Sequence, residues 1–115
     1  MNKYSVLMSL YIKEKPNYLR QSIDSMLQQT VKPDEIVIVK DGPLTDELDK
    51  ILYEYQIMYP DLFRIVTSKK NLGLGRALNL GLKNCRNDLV ARMDTDDISL
   101  PDRCEKQLEM FKQDS

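Results

Sequence analysis

The sequence predicts an α/β layer fold built on a mostly parallel sheet. Short apolar runs alternate with longer stretches of helical spacing, in the order βαβαβαβα. One run, Glu35-Ile36-Val37-Ile38-Val39, is β-branched and apolar through four consecutive positions. A strand covered on both faces has that character, whereas a half-exposed antiparallel strand alternates. Turn signals such as Asp41-Gly42-Pro43 and Pro60-Asp61 separate the runs.

Each element has its own local reason. Ser5-Val6-Leu7-Met8-Ser9-Leu10 reads as the first strand. Leu19, Ile23, Met26 and Leu27 recur at i, i+4, i+7 and i+8, which is one stripe of a helix. Pro33-Asp34 breaks that stripe, and Glu35–Val39 follows as the second strand. Thr45 is placed to cap the second helix, with Asp46 and Glu47 in the first turn, where the helix dipole favours anions. Leu48, Ile51, Leu52, Tyr55 and Met58 form its apolar stripe. Phe63-Arg64-Ile65-Val66 is a third, shorter strand. Asn71-Leu72-Gly73-Leu74-Gly75 is a loop, after which Leu74, Ala77, Leu78 and Gly81 give a helix face of small and apolar residues. Asp88–Met93 is the fourth strand. Pro101 suits the first turn of a last helix, with Cys104, Leu108 and Phe111 on its apolar side. Crossovers between the parallel strands are expected to be right-handed.

The bulk numbers bound what the chain can do. Its 115 residues suit one domain. Lys plus Arg is 17 and Asp plus Glu is 18, a net charge of −1. That balance argues against a dedicated nucleic-acid binder, which needs excess cations, and gives no reason to expect an acidic membrane surface as partner. Histidine is absent, which excludes a histidine base and a Cys/His zinc site within these residues. The two cysteines, Cys85 and Cys104, fit a reduced, cytoplasmic protein and read as core residues. No stretch approaches the roughly 20 apolar residues of a spanning helix, and the apolar run at the amino end is too short for a signal peptide.

In a parallel sheet, ligands bind beyond the carboxyl ends of the strands. The polar residues placed there are Ser9 and Tyr11 after the first strand, Asp41 after the second, Thr67 to Asn71 after the third, and Asp94 to Asp97 after the fourth. Asp94, Asp96 and Asp97 stand within four residues. Two carboxylates about 4 Å apart repel by roughly 4 kcal/mol at an effective dielectric near 20, so solvent, protonation or a cation must offset them. A hard divalent ion such as Mg²⁺ or Mn²⁺ prefers oxygen ligands and shares them with phosphates. Taken alone, Asp-x-Asp is more often a solvated loop, and Asp41-Gly42-Pro43 a simple turn; position at strand ends is what shifts the reading. Gly73-x-Gly75 lacks the Lys-Ser/Thr of a P-loop and the third glycine of a dinucleotide fingerprint, so close helix packing is its first reading. Arg76, near that helix start, reads first as a solvated or paired arginine.

Six segments appear in the order seen in family 2 glycosyltransferases. They are Ser5–Tyr11, the helix Leu19 to Thr30, Glu35–Gly42, the spacing Asn71-x-Gly73-x-x-x-Ala77-x-Asn79-x-Gly81, Met93-Asp94-Thr95-Asp96-Asp97, and Pro101-Asp102-Arg103. Nearly the whole chain resembles this family. The resemblance implies a Rossmann-like three-layer sandwich, the N-terminal half of the A-type glycosyltransferase fold, with residues 1–115 as its nucleotide-sugar (donor) binding domain. It implies that Ser9, Tyr11 and Asp41 line the base and ribose pocket and that Asp94 sits near ribose and sugar. Asp96 and Asp97 would reach a divalent metal, Mn²⁺ or Mg²⁺, bridging the diphosphate. The expected donor is a nucleoside-diphosphate sugar, a UDP-sugar first, and the acceptor a glycan, a lipid-linked sugar or a protein. Such enzymes build cell-surface polysaccharides, in the cytoplasm or at the cytoplasmic face of the membrane. In inverting members the catalytic base lies well after the Asp-x-Asp segment, so no catalytic residue is expected within this chain, and no efficient transfer by it alone.

The chain departs from the family pattern in four places. Ile12 follows the tyrosine where Asn is usual, Lys40 replaces the first of an acidic pair, Pro43-Leu44 replaces a serine, and Leu78 precedes Asn79 where Arg is common. The lost acid at Lys40 leaves a non-catalytic, glycosyltransferase-like binding domain as an alternative. A phospho-receiver-like module is a third reading, disfavoured because the first strand ends in Ser9-Leu10-Tyr11 with no acid beside it.

Overall fold

A computed structural model of the chain describes residues 3–93 and 103–114. The expected elements form in the expected order: β1 (Ser5–Leu10), α1 (Pro16–Leu27), β2 (Glu35–Asp41), α2 (Asp46–Met58), β3 (Phe63–Ser68), α3 (Leu74–Asn84), β4 (Val90–Arg92) and α4 (Arg103–Asp114). The strands make one parallel sheet in the order β3-β2-β1-β4. Ser5 pairs with Glu35 on one side and with Val90 on the other.

Chain direction explains the layers. From β1 the chain steps outward to β2 and then β3, so α1 and α2 lie on one face. It then returns past all three strands to β4, and the same crossover hand puts α3 on the opposite face. Strand alternation sorts the core accordingly. Val6, Met8, Leu10, Ile36 and Ile38 pack with Leu19, Ile23 and Met26 of α1, Leu48, Ile51 and Leu52 of α2, and Cys104 of α4. Leu7, Val37 and Val39 face Ala77 of α3. The three-layer α/β architecture predicted from the sequence is therefore present.

Local chemistry sets the ends. Pro16 opens α1. Thr45 Oγ1 accepts the Leu48 amide at 3.2 Å, the expected N-cap of α2. Gly81 is buried where α3 crosses the sheet, because a Cβ there would meet Leu7 Cδ1 and lie 2.6 Å from Val39 Cγ2. Gln29, just past α1, is also buried, and its side-chain oxygen accepts the Cys104 amide at 3.0 Å, tying α1 to α4.

Some details differ from expectation. Met58 is exposed with its neighbours Ile57 and Tyr59, since the apolar spacing of α2 outlasts the surface available to cover it. Leu74 is exposed at the first residue of α3, whose buried side starts at Ala77. β4 is three residues long rather than six, although the Met93 amide still donates to Leu7 O at 2.9 Å. Cys104 is buried, but Cys85 only partly so. Pro101 and the Phe111 side chain fall outside what is described.

Candidate functional site

The sheet reverses its direction of growth at β1, which has β2 on one side and β4 on the other. Where strand order reverses, the connections leaving adjacent strands go to opposite faces and open a crevice beyond their carboxyl ends. Here that switch point lies at the carboxyl ends of β1 and β4, past Leu10 and Met93. Ser9, partly buried, is next to last in β1, and Tyr11 is exposed just past its end, its carbonyl accepting the Glu14 amide at 3.1 Å. Met93 is buried against β1. The acids that follow it, Asp94, Asp96 and Asp97, lie outside the described residues. Beyond them, Arg103 donates to Arg92 O at 2.9 Å, fixing the start of α4 to β4.

Asp41 ends β2 and is 5% exposed. Its position in β2 matches Val37 and Val39, so it faces the α3 side, as does Ser9 on the neighbouring strand, in register with Val39. Asp41 Oδ1 accepts the Leu72 amide at 2.6 Å. The carboxylate therefore holds the β3–α3 loop, a contact that sequence patterns did not announce. Gly42 follows in the left-handed region at φ 86°, its amide donating to Lys40 O at 3.0 Å. A Cβ on Gly42 would lie 2.9 Å from the Asn71 amide nitrogen. Loop 69–73 is further shaped by Ser68 Oγ donating to Lys70 O at 2.7 Å and the Gly73 amide donating to Asn71 Oδ1 at 3.0 Å. Two rim segments, one after β2 and one after β3, thus meet at Asp41.

Lys40 points the other way. It shares a face with Ile36 and Ile38, and its Nζ lies 2.6 Å from Asp49 Oδ1 on α2. The departure from the family pattern at this position sits on the opposite side of the sheet from Asp41, so it removes no acid from the side where Asp41 and Ser9 converge.

A second polar cluster occupies the amino ends of the strands, opposite along β1 and β2 to the ends that carry Ser9 and Asp41. Glu35 is 2% exposed and accepts from Ser5 Oγ at 2.6 Å and from the Arg86 backbone amide. Asn87 donates to both Ser5 Oγ and Asp34 Oδ2, and Arg86 Nε donates to Asp34 Oδ2 at 3.0 Å. The only signal in the sequence was an acid heading an apolar run. Burial, then the Glu35 charge, push the neighbouring Cys85 thiol up from its ordinary pKa, which favours the protonated thiol. Hydrogen bonds from Asn87 and then Arg86 hold the Asp34 carboxyl below its ordinary value. A carboxyl depressed in the folded state stabilises fully above the unfolded pKa, about 3.9, and loses that contribution as pH falls through the folded value. Asp34→Asn should therefore flatten the acid limb of stability below about pH 4, measured as urea midpoints from pH 2.5 to 7.

Among the described residues, no group of three or more acids and cysteines could hold a metal, and no helix is long and apolar enough to cross a membrane.

Comparison with known proteins agrees with this layout. The Glycosyl transferase family 2 model matches residues 5–115. The amylovoran biosynthesis glycosyltransferase AmsE of Erwinia amylovora is 52% identical over 105 residues, 91% of this chain and 39% of that protein. A UDP-Gal:alpha-D-GlcNAc-diphosphoundecaprenol beta-1,3-galactosyltransferase of Escherichia coli is 44% identical over 103 residues, 90% of this chain and 37% of that one. The chain thus spans about two-fifths of these relatives. Among solved structures, S. aureus TarS 1-349 in complex with UDP-GlcNAc superposes with a TM-score of 0.80 at 24% identity, over 96% of this chain and 31% of that one. The mannosyltransferase PcManGT of Pyrobaculum calidifontis, in complex with GDP-Man and Mn²⁺, gives 0.70 at 21% identity, over 82% of this chain and 27% of that one. At such identities the structures establish the fold, which matches the N-terminal part of TarS.

Proposed function

Because the chain belongs to glycosyl transferase family 2, we propose that residues 1–115 form the donor-binding domain of an inverting glycosyltransferase that takes a UDP-sugar. The observation that carries this reading is the switch in strand order between β1 and β4, with Ser9 and Tyr11 at the end of one strand and the run Asp94-Thr95-Asp96-Asp97 following the other in sequence. Ser9, Tyr11 and Asp41 receive the base and ribose: Tyr11 offers an aromatic face for stacking, and Asp41 an acceptor carboxylate. Asp94 lies at the ribose and sugar. Asp96 and Asp97 hold Mn²⁺ or Mg²⁺, which when bound neutralises charge on the departing diphosphate. The UDP-Gal of the Escherichia coli relative and the UDP-GlcNAc complex of TarS support this choice of donor, and the Mn²⁺ held with GDP-Man by PcManGT supports the ion. The acceptor is a glycan, a lipid-linked sugar or a protein, and a lipid-linked sugar fits the acceptor named for the Escherichia coli relative. With Lys40 turned toward α2, the substitution that suggested a non-catalytic binding domain loses its force.

Calorimetric titration of UDP into the chain, with and without Mn²⁺, tests the proposal. Binding should strengthen at least about tenfold, or about 1.4 kcal/mol, with the metal. Asp96→Ala or Asp97→Ala should abolish that gain. Absence of binding by UDP, GDP and dTDP at millimolar concentration overturns it.

A further inference from the structure

We propose that the Lys40–Asp49 ion pair is a positioning device for Asp41, and so for the base-binding rim of the donor site. The link to donor binding rests on the function proposed above; the mechanical part stands on geometry alone. Lys40 directly precedes Asp41 on β2, and Asp49 is in the first turn of α2. The pair spans the short connection that carries Asp41, Gly42 and the cap residue Thr45. Asp49 Oδ1 is closed to solvent, and the Lys40 ammonium lies 2.6 Å from it.

Consecutive strand residues point to opposite faces. Lys40 can therefore anchor the strand end from the α2 side without occupying the space that Asp41 faces. Held at Lys40, at the Thr45 cap and at the tight Gly42 turn, the segment has little freedom to rotate. The Asp41 carboxylate is then fixed against the Leu72 amide. A positive charge suits this position because α2 begins with Asp46, Glu47 and Asp49. At 22% and 42% side-chain exposure the pair is partly screened, so its contribution lies in orientation more than in stability.

The test compares Lys40→Met, Asp49→Asn and the charge swap Lys40→Asp/Asp49→Lys by amide hydrogen exchange and by UDP titration with Mn²⁺. In both single variants the Leu72 amide should exchange about tenfold faster while strand amides in β1 keep their protection. The charge swap should recover most of that protection. UDP affinity should fall and recover in parallel, by about three- to tenfold. Unchanged Leu72 exchange in Lys40→Met overturns the proposal. So does a swap that restores neither exchange nor affinity, which would mean that the charge pairing is not what holds the strand end. If wild type fails to bind any nucleotide, the donor reading falls, while the exchange data still decide the positioning role.

Discussion

Glu35→Ala should lower the unfolding free energy by about 3 kcal/mol and the midpoint temperature by roughly 10–20 °C. Glu35 is buried and accepts from Ser5 Oγ and the Arg86 amide. Truncation leaves those donors short of a partner in a place where water has little access, and each such group costs about 1–3 kcal/mol. Arg86→Ala is the control. Its guanidinium is 54% exposed and lies 3.9 Å from Glu35 Oε2, so its loss should cost under about 1 kcal/mol. Urea denaturation of the two variants separates a buried hub from a surface ion pair. Near-equal losses would show that the guanidinium, and not the buried acceptor, holds the cluster.

Gly42→Ala should cost about 2–4 kcal/mol, through two additive effects. An L-residue at φ 86° is disfavoured by about 1–2 kcal/mol. The new methyl would also lie 2.9 Å from a backbone nitrogen, that of Asn71, which cannot turn aside as a side-chain tip can. Relief requires loop 69–73 to move, and that loop carries the Leu72 amide bound to Asp41. Thermal unfolding would record the stability loss, and UDP titration with Mn²⁺ should show affinity reduced by about tenfold or more. A variant as stable as wild type, with full affinity, would mean that the rim tolerates displacement and that Asp41 needs no fixed loop.

The fold was legible because its signals are local and repeated. The Ile36–Val39 run announced a strand covered on both faces, and Thr45 with its following acids announced a helix start. The candidate site was legible only as a set of strand ends. Position along the chain places Ser9, Tyr11 and Asp41 at one edge of the sheet, but cannot say which face each takes or what each touches. Lys40 shows the difference: in sequence it looked like a lost member of an acidic pair, and in three dimensions it belongs to the α2 side. The Glu35 cluster and the Asp41–Leu72 bond join residues 30 to 82 positions apart, beyond the reach of any periodicity. Met58 and Leu74 mark the opposite failure, where spacing continued past the surface that could bury it.

The sheet order also sets a timetable for the chain as it is made. β1, β2 and β3 pair with strands nearby in sequence, whereas Ser5 must wait for Val90, 85 residues later, before its second edge is covered. Contacts between distant residues carry a larger closure entropy and form late. During synthesis, the amino-terminal strands and α1 and α2 can assemble while β4 is still inside the ribosome. The β1 edge then stays open as a template for stray strands until β4 arrives. Among the four strands described, the β1–β4 pairing is thus the last to form, and its formation closes the edge that β1 has kept open.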